Sequence, residues 1–242
     1  MSNAELLKFT DSTALADAAA KAWLDEIDRT RQSESPYCVA LSGGRITHKF
    51  FAAVVTQAKQ RETVFDHVHF FWADERCVPP TDPESNFKMA QELLFAPLKI
   101  PAGNIHRLHG EDSPHSAVKR AEAELRTVAQ QNADQQSVPV LDLIFLGMGE
   151  DGHIASLFPE ASAKIMDISV PFLVVENSPK PPPTRISMSY NMIFAAKNVW
   201  VLVSGAGKEP ALRNSLSPEG DTPLARVIHH RPVKIFSVIN EF

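Results

Sequence analysis

The sequence predicts an α/β fold built on a mostly parallel sheet. Short apolar runs, each bounded by turn residues, alternate along the chain with segments of helical periodicity. Runs such as Tyr37–Leu41 and Leu141–Leu146 lack polar alternation, which is typical of strands buried on both faces. Glycines or charged residues directly follow several of these runs. Strands that alternate with helices form parallel sheets with right-handed crossovers, so we expect a central sheet with helices around it.

Composition narrows the classes of function. Of the 242 residues, 44% are apolar and 22% are charged, and no repeat or linker divides the chain, so we expect residues 1–242 to form one domain. The net charge of −5 offers no general basic surface, and we expect no nucleic-acid partner. Cys38 and Cys77 are too few for a disulfide framework. Without a long apolar span or a signal-like N-terminus, we expect a cytoplasmic protein with no membrane partner. The sequence leaves open a monomer or a small homo-oligomer.

Eight segments have the pattern of strands. They are short, apolar and rich in β-branched or aromatic residues, and each is bounded by turn residues. The predicted strands are Leu6–Phe9, Tyr37–Leu41, Val64–Ala73, Leu141–Leu146, Leu173–Glu176, Arg185–Met188, Val199–Ser204 and Val233–Val238.

Helices are expected between these strands. Asp11 or Ser12 is a candidate N-cap for the first helix, whose apolar residues recur every four positions. Ser113 with Pro114 starts a helix that runs to about Gln131. The polar run Gln130–Ser137 is expected to be a surface loop, and the proline-rich Ser178–Pro183 is expected to be extended. Further helices are expected over Phe50–Val55, over Met89–Leu94 after Ser85-Asn86, from Lys208, and over Thr222–His229.

The most informative turn follows the strand Leu141–Leu146. Three glycines occur within six residues, and glycine lets a backbone turn sharply and approach a ligand closely. An acid, Asp151, and an imidazole, His153, lie in this turn. Ligands of open α/β sheets bind beyond the carboxyl ends of the strands, so this titratable pair is a candidate site. Taken alone, His153 would more often be an ordinary core histidine.

The same turn matches the dinucleotide fingerprint GxGxxG, but its context does not. Glu150 and Asp151 would point negative charges at a pyrophosphate. Pro159 interrupts the following segment within about two turns, too early for a crossover helix. We therefore reject a dinucleotide site. The serine-hydrolase pattern G-x-S-x-G is absent from the sequence.

Other predicted strand ends carry groups that suit a phosphate. Glycine amides together with arginine and lysine can neutralise and hydrogen-bond its charge, while a histidine beside a carboxylate can activate water. The residue pattern therefore predicts acid–base chemistry on a phosphorylated small molecule. The candidates at these strand ends are Gly43, Gly44, Arg45, Asp74, Glu75, Arg76, Arg185 and Lys208.

Several of these features have plainer interpretations. A Gly-Gly pair is more often a simple turn, and the triplet Asp74-Glu75-Arg76 could equally be a solvated loop. His67 and His69 share a strand face, but without a third ligand nearby such a pair is mostly structural. Cys77 follows a cation, yet no paired base makes it a nucleophile.

The segment LGMGEDGHIASLFP, with FWADERCVP and ESN before it and PPPTRISM and VSGAGK after it, resembles the 6-phosphogluconolactonases. The correspondence runs from about Val39 to Lys208. Glucosamine-6-phosphate deaminases usually carry DGH-x-AFNEP and DEY, where this chain has DGHIASLFP and Asp74-Glu75-Arg76. The usual glycine loop, SGGSTP or GGRTP, is replaced here by Ser42-Gly43-Gly44-Arg45-Ile46-Thr47-His48.

The resemblance implies a three-layer α/β/α, Rossmann-like fold shared with glucosamine-6-phosphate deaminase and ribose-5-phosphate isomerase. It implies hydrolysis of 6-phosphoglucono-1,5-lactone. Our hypothesis is that His153 is the general base and that Asp151 or Asp74 orients the imidazole or binds sugar hydroxyls. Arg76 or glycine-turn amides are candidate donors to the oxyanion. The lactone is an activated ester, so we expect neither a metal nor a cofactor. A glucosamine-6-phosphate deaminase and a non-catalytic sugar-phosphate-binding regulator remain alternatives. The phosphate would be held by Gly43, Gly44, Arg45, Arg185 and Lys208.

Overall fold

A computed structural model describes residues 3–129, 138–162 and 170–239 of the chain. In these residues the strands lie close to the predicted segments, and their pairing divides them between two sheets. The strands are β1 (Ala4–Lys8), β2 (Tyr37–Leu41), β3 (Val68–Trp72), β4 (Asp74–Arg76), β5 (Leu143–Gly147), β6 (Phe172–Val175), β7 (Arg185–Met188), β8 (Asn198–Val203) and β9 (Val233–Ser237).

The larger sheet has six strands in the order β1-β9-β8-β5-β2-β3, and every pairing in it is parallel. This confirms the predicted parallel sheet. The central strands β2 and β5 are neighbours, with Val39 opposite Leu143. The loops that follow both strands therefore leave the same edge of the sheet side by side. Those loops carry Gly43-Gly44 and the turn that contains His153.

A second, three-stranded sheet, β4-β7-β6, is antiparallel. The predicted strands Leu173–Glu176 and Arg185–Met188 pair in this sheet and not in the parallel one, while the triplet Asp74–Arg76 follows β3 as expected and is itself a strand. The triplet pairs as β4 with β7, so that Asp74 lies opposite Ser187 and Arg76 opposite Arg185. Its charged composition gives no strand signal, because the pairing comes from a partner more than a hundred residues away along the chain.

The helices largely confirm the sequence pattern. Asp11 caps α1 by accepting from the amides of Thr13 and Ala14, as expected for an aspartate at this position. The predicted strand Val64–Ala73 starts later than expected, at Val68, because Phe65 forms a turn with that residue. The expected loop Gln130–Ser137 lies outside the described residues. The α-helices are α1 (Ser12–Thr30), α2 (Arg45–Arg61), α3 (Asn86–Ala90), α4 (Ala96–Leu98), α5 (Pro114–Val128), α6 (Pro159–Ser162), α7 (Tyr190–Ala195), α8 (Glu209–Leu216) and α9 (Pro223–His230), with a π-helical turn at Gln91–Phe95 and a 3-10 turn at Ala102–Asn104.

An aromatic cluster packs α1 and α2 against the central strand β5. The ring of Phe145 lies 5.2 Å from that of Trp23 and 4.8 Å from that of Phe50, measured between centroids. All three side chains are almost fully buried. Burial of large aromatic groups contributes strongly to stability, so the strand that precedes the His153 turn is firmly anchored. In the part of the chain that the structure describes, no helix is both long and apolar enough to cross a membrane.

Candidate active site

His153 and Asp151 form a close pair at the carboxyl end of β5. The imidazole Nδ1 lies 2.5 Å from Asp151 Oδ1, and the same oxygen accepts from the His153 amide at 3.3 Å. The side chain of His153 is 16% exposed and that of Asp151 is 35% exposed. A carboxylate on Nδ1 makes that nitrogen the N–H donor and leaves Nε2 with the basic lone pair.

Glycine at two positions of the turn makes this pairing possible. A Cβ atom on Gly149 would lie 2.1 Å from the His153 ring, so any larger residue would displace the imidazole. Gly152 has a φ of 79°, a region that favours glycine, and its Cα faces Thr222 at the N-terminus of α9. The amide of Leu224, in the first turn of α9, donates to the Gly152 carbonyl. These contacts with the N-terminus of α9 hold the turn in place.

Burial and charge set the protonation of the pair. Burial lowers the pKa of His153, and the Asp151 carboxylate raises it only in part, so the net direction is down. Burial raises the pKa of Asp151, but the hydrogen bonds and charge of His153 bring it below its ordinary value. At neutral pH the pair therefore consists of an ionised Asp151 and a neutral imidazole, the state that a general base requires.

Asp74 lies in the same cleft but has a different partner. Its Oδ2 accepts a hydrogen bond of 2.7 Å from the Ser156 hydroxyl, and the residue is 5% exposed. Asp74 and His153 both line the cleft, yet the carboxylate in contact with the imidazole is that of Asp151. The sequence left open which of the two acids contacts the ring, and the geometry places Asp151 there.

The glycine loop after β2 leads directly into α2. Gly44 is the N-cap of this 17-residue helix and has a φ of 118°, which requires glycine. Backbone N–H groups at a helix N-terminus attract anions. Lys208, the N-cap of α8, lines the same cleft, and burial is the main cause that lowers its pKa. These two helix starts and the exposed Arg45 form a cationic end of the cleft.

Arg185 connects the cleft wall to the proline-rich loop. It is 4% exposed, and its guanidinium donates to the carbonyl oxygens of Lys180, Pro181 and Pro182 at 3.0–3.2 Å. Its Cζ also lies 5.7 Å from the ring centre of Phe158. These contacts make Arg185 an organiser of the loop as well as a cation facing the cleft.

A buried carboxylate holds the segment that lies beside the glycine loop. Glu75 is 2% exposed and accepts from the amides of Arg76, Asn86 and Phe87 and from the hydroxyl of Ser85, at 2.7–3.1 Å. Burial raises the pKa of Glu75, and these hydrogen bonds oppose the shift. Asn86 in turn donates to the Asp74 carbonyl at 2.9 Å and packs so closely on Gly43 that a Cβ there would lie 2.0 Å from its Oδ1. These hydrogen bonds and the close packing on Gly43 hold the wall of the cleft in place.

The cleft encloses about 530 Å³, including its open mouth, within the range of small-molecule sites. It brings together eight of the ten candidate residues; Asp151 contacts the cleft residue His153, and Glu75 is buried behind the cleft wall. Arg76 is partly engaged elsewhere, because its Nη1 donates to the Glu84 carbonyl. The residues that line the cleft are Ser42, Gly43, Gly44, Arg45, Ile46, Asp74, Arg76, Asn86, Gly147, Met148, His153, Ala155, Arg185 and Lys208.

The sequence predicts no role for Lys180 or for Asn86 beside Gly43, and Glu75, a candidate at a strand end, is buried among amide donors and does not line the cleft. The charge of Lys180 acts on His153, Asp151 and Lys208, so it lies within electrostatic reach of both ends of the cleft. No local pattern separates this lysine from a solvated loop residue. The sequence predicts Ser85-Asn86 as a helix start, and Ser85 does cap α3 by accepting from the Lys88 amide.

The remaining histidine and cysteine candidates have structural surroundings. His69 Nδ1 lies 2.9 Å from His106 Nε2, and His67 pairs with the Thr30 hydroxyl at 3.3 Å. Burial raises the pKa of the Cys77 thiol to about 11, which disfavours the nucleophilic thiolate at neutral pH. Across the described ranges, no group of three or more histidine, cysteine, aspartate or glutamate side chains is arranged to hold a metal ion.

Comparison with known proteins agrees with the motif resemblance. The model of the family described as glucosamine-6-phosphate isomerases/6-phosphogluconolactonase matches residues 10–236. A 6-phosphogluconolactonase of Haemophilus influenzae is 38% identical over 182 residues, which covers 75% of this chain and 74% of the relative. The structure of 6-phosphogluconolactonase from Trypanosoma brucei superposes with a TM-score of 0.82 at 25% identity, covering 96% of this chain and 95% of that one.

A monomeric glucosamine-6-phosphate deaminase also superposes, with a TM-score of 0.80 at 18% identity over 96% of both chains. At this identity the likeness shows the shared α/β fold alone. The fold therefore does not separate lactonase from deaminase, whereas the relatives of higher identity named above are lactonases. The chain belongs to the glucosamine-6-phosphate isomerase/6-phosphogluconolactonase family.

Proposed function

We propose that the chain hydrolyses 6-phosphoglucono-1,5-lactone to 6-phosphogluconate, a step of the oxidative pentose phosphate pathway. The observation that carries the proposal is the layout of one cleft. The paired imidazole of His153 lies in the same cleft as the glycine loop, Arg45 and Lys208. A phosphorylated lactone has a dianionic group at one end and an ester at the other, which matches this layout. Relatives named 6-phosphogluconolactonase support the same substrate.

His153 is the general base in the proposed reaction. With Nδ1 donating to Asp151, Nε2 takes a proton from water as the water oxygen attacks the lactone carbonyl carbon. The bond between that carbon and the ring oxygen then breaks, and the imidazolium returns its proton to the leaving ring oxygen. A positioned acid–base group contributes about 10²–10⁴ in rate. Asp151 supports the step by orienting the ring and stabilising the imidazolium.

The phosphate occupies the cationic end of the cleft in this proposal. The amides at the start of α2 donate to its oxygens, and Arg45 and Lys208 supply the opposing charge. Arg185 contributes charge from the wall while it holds the proline-rich loop. Fixed donors stabilise the oxyanion that develops on the lactone carbonyl, and Arg76 and the glycine-turn amides are the candidates.

The test is acid release from freshly prepared lactone, with spontaneous hydrolysis subtracted. We expect the wild-type chain to accelerate hydrolysis and the His153→Gln variant to lose about 10²–10⁴ of that acceleration. A parallel assay measures ammonia released from glucosamine-6-phosphate, the deaminase reaction. Ammonia release without lactone hydrolysis would refute the proposal in favour of the deaminase. Tight binding of sugar phosphates with neither reaction would instead indicate a regulator.

Two further parts of the proposal concern the setting of the reaction. We place it in the cytoplasm, because both cysteines are free and Cys38 is buried beside no second thiol among the described residues. We propose that a monomer or a small homo-oligomer performs it, since the imidazole and the cations of one cleft suffice for the proposed reaction. Light scattering of the purified chain measures the assembly directly.

A further inference from the structure

Glu150 brings a negative charge to the cationic end of the cleft. Its Oε1 lies 3.8 Å from Arg45 Nη2, and both side chains are largely exposed, at 60% and 81%. Its carboxylate also lies against Gly207, where an added Cβ would come within 3.4 Å of Glu150 Cδ. Position 207 directly precedes Lys208. The acid therefore lies close to both cations that we assign to the phosphate.

The electrostatics of Lys208 reflect the same arrangement. Burial and the neighbouring charge of Arg45 lower the pKa of Lys208, and Glu150 raises it. Glu150 thus offsets part of the repulsion between the two cations, which both line the cleft. A bound phosphate dianion would also offset the repulsion between Arg45 and Lys208. The negative charge of Glu150 would repel that phosphate.

We propose that Glu150 is a resident counter-anion of the phosphate-binding end, competing with the ligand's phosphate for Arg45 and Lys208. This rests on the proposed function for the position of the phosphate. The consequence is an affinity for phosphorylated ligands below the one that the cations alone would give. Substrate and product carry the same phosphate, so Glu150 weakens the hold on both and keeps the product from being retained.

A role of Glu150 in supporting phosphate binding predicts the opposite change in phosphate affinity. If the ion pair served to hold Arg45 in place for the phosphate, removing the acid would weaken phosphate binding. At 3.8 Å between exposed groups the pair itself contributes little, so the effect of its charge on a dianion outweighs any loss of positioning. Neutralising Glu150 should therefore tighten the binding of anions.

The experiment measures the dissociation constant of inorganic phosphate by calorimetry for wild type, Glu150→Gln and Arg45→Gln. Glu92→Gln is the matched control, because Glu92 is exposed and has no ion pair among the described residues. We expect Glu150→Gln to bind phosphate about 3- to 10-fold more tightly at low ionic strength, with a smaller gain at about 0.5 M salt. Arg45→Gln should weaken binding, and Glu92→Gln should leave it unchanged.

Kinetics on the lactone supply the second readout. The KM of Glu150→Gln should fall by a similar factor while kcat does not rise, because the change acts on the phosphate and leaves the ester untouched. Unchanged or weaker phosphate binding by Glu150→Gln would overturn the inference, as would an Arg45→Gln variant that binds phosphate normally. The calorimetry uses no lactone, so it stands or fails separately from the proposed hydrolysis.

Discussion

The Asp151 carboxylate lies 2.5 Å from Nδ1 of His153, on the side of the ring away from the nitrogen that we assign to water. This contact fixes the tautomer and the direction of the imidazole together. The two residues are separated by a single glycine, so the chain builds the pair from one tight turn. A loss of the carboxylate should therefore affect the chemical step more than substrate binding.

For Asp151→Asn we expect kcat to fall by about 10- to 100-fold with KM changed less than about threefold, because the amide no longer favours the required tautomer or stabilises the imidazolium. Steady-state kinetics on fresh lactone measure both constants. Asp17→Asn, on the exposed face of α1, is the control for loss of one negative charge. An Asp151→Asn variant with wild-type kcat would remove this residue from the mechanism.

Gly149→Ala should separate folding from catalysis. The new methyl group would lie 2.1 Å from the His153 ring, so the imidazole must leave its position. We expect kcat/KM to fall by about 100-fold, within the cost of losing a positioned base, while the circular dichroism spectrum stays native. Gly103→Ala is the matched control, since an added Cβ there meets nothing within 4 Å. Full activity in Gly149→Ala would contradict the assigned position of the ring.

The pH profile of kcat/KM should reflect the lowered pKa of His153. Because burial outweighs Asp151, the base form persists below the ordinary histidine value of 6.5, and the acidic limb should have its midpoint below that pH. The charge of Lys180 also lowers this pKa, so Lys180→Gln should move the limb to higher pH, whereas Lys180→Arg should leave it in place. A limb that stays unmoved in Lys180→Gln would show that Lys180 does not act on the base.

Stability should decline in mild acid because of the histidines outside the cleft. His69 and His106 lie 2.9 Å apart, and burial lowers the pKa of both, as it does for His67. The unfolded chain then binds more protons than the folded one near pH 6. The free energy of unfolding therefore has its full value above about pH 6.5 and decreases as the pH falls below that. Urea unfolding at a series of pH values measures this slope. Replacing His69 and His106 with asparagine should flatten it, and an unchanged slope would locate the acid sensitivity elsewhere.

Arg185→Ala should loosen the proline-rich loop. The substitution leaves the carbonyl oxygens of Lys180, Pro181 and Pro182 without their buried donor. Hydrogen bonds from a charged group contribute about 1.5–3 kcal/mol, so we expect a loss of that size in the free energy of unfolding together with a raised KM. Chemical denaturation and steady-state kinetics check the two effects. A raised KM with unchanged stability would mean that Arg185 serves the ligand alone.

The sequence was sufficient to predict the elements whose signals are local. β2 and β5 are short apolar runs, Asp11 and Ser85 are typical caps, and the loops after β2 and β5 were expected at one edge of the sheet. The second sheet could not be predicted, because β4 is a charged triplet that becomes a strand only by pairing with β7. The burial of the Glu75 side chain and the effect of the Lys180 charge on His153 likewise depend on segments that are distant along the chain. These features arise from tertiary contacts, which local sequence patterns do not predict.

The most direct test of the whole account is a crystal structure of the chain with 6-phosphogluconate bound. We expect the phosphate to accept hydrogen bonds from the amides at the start of α2 and to lie beside Arg45 and Lys208. The C1 carboxylate should lie within hydrogen-bonding distance of Nε2 of His153. A product bound in the reverse direction, or in another part of the molecule, would contradict the assignment of one cleft to both tasks.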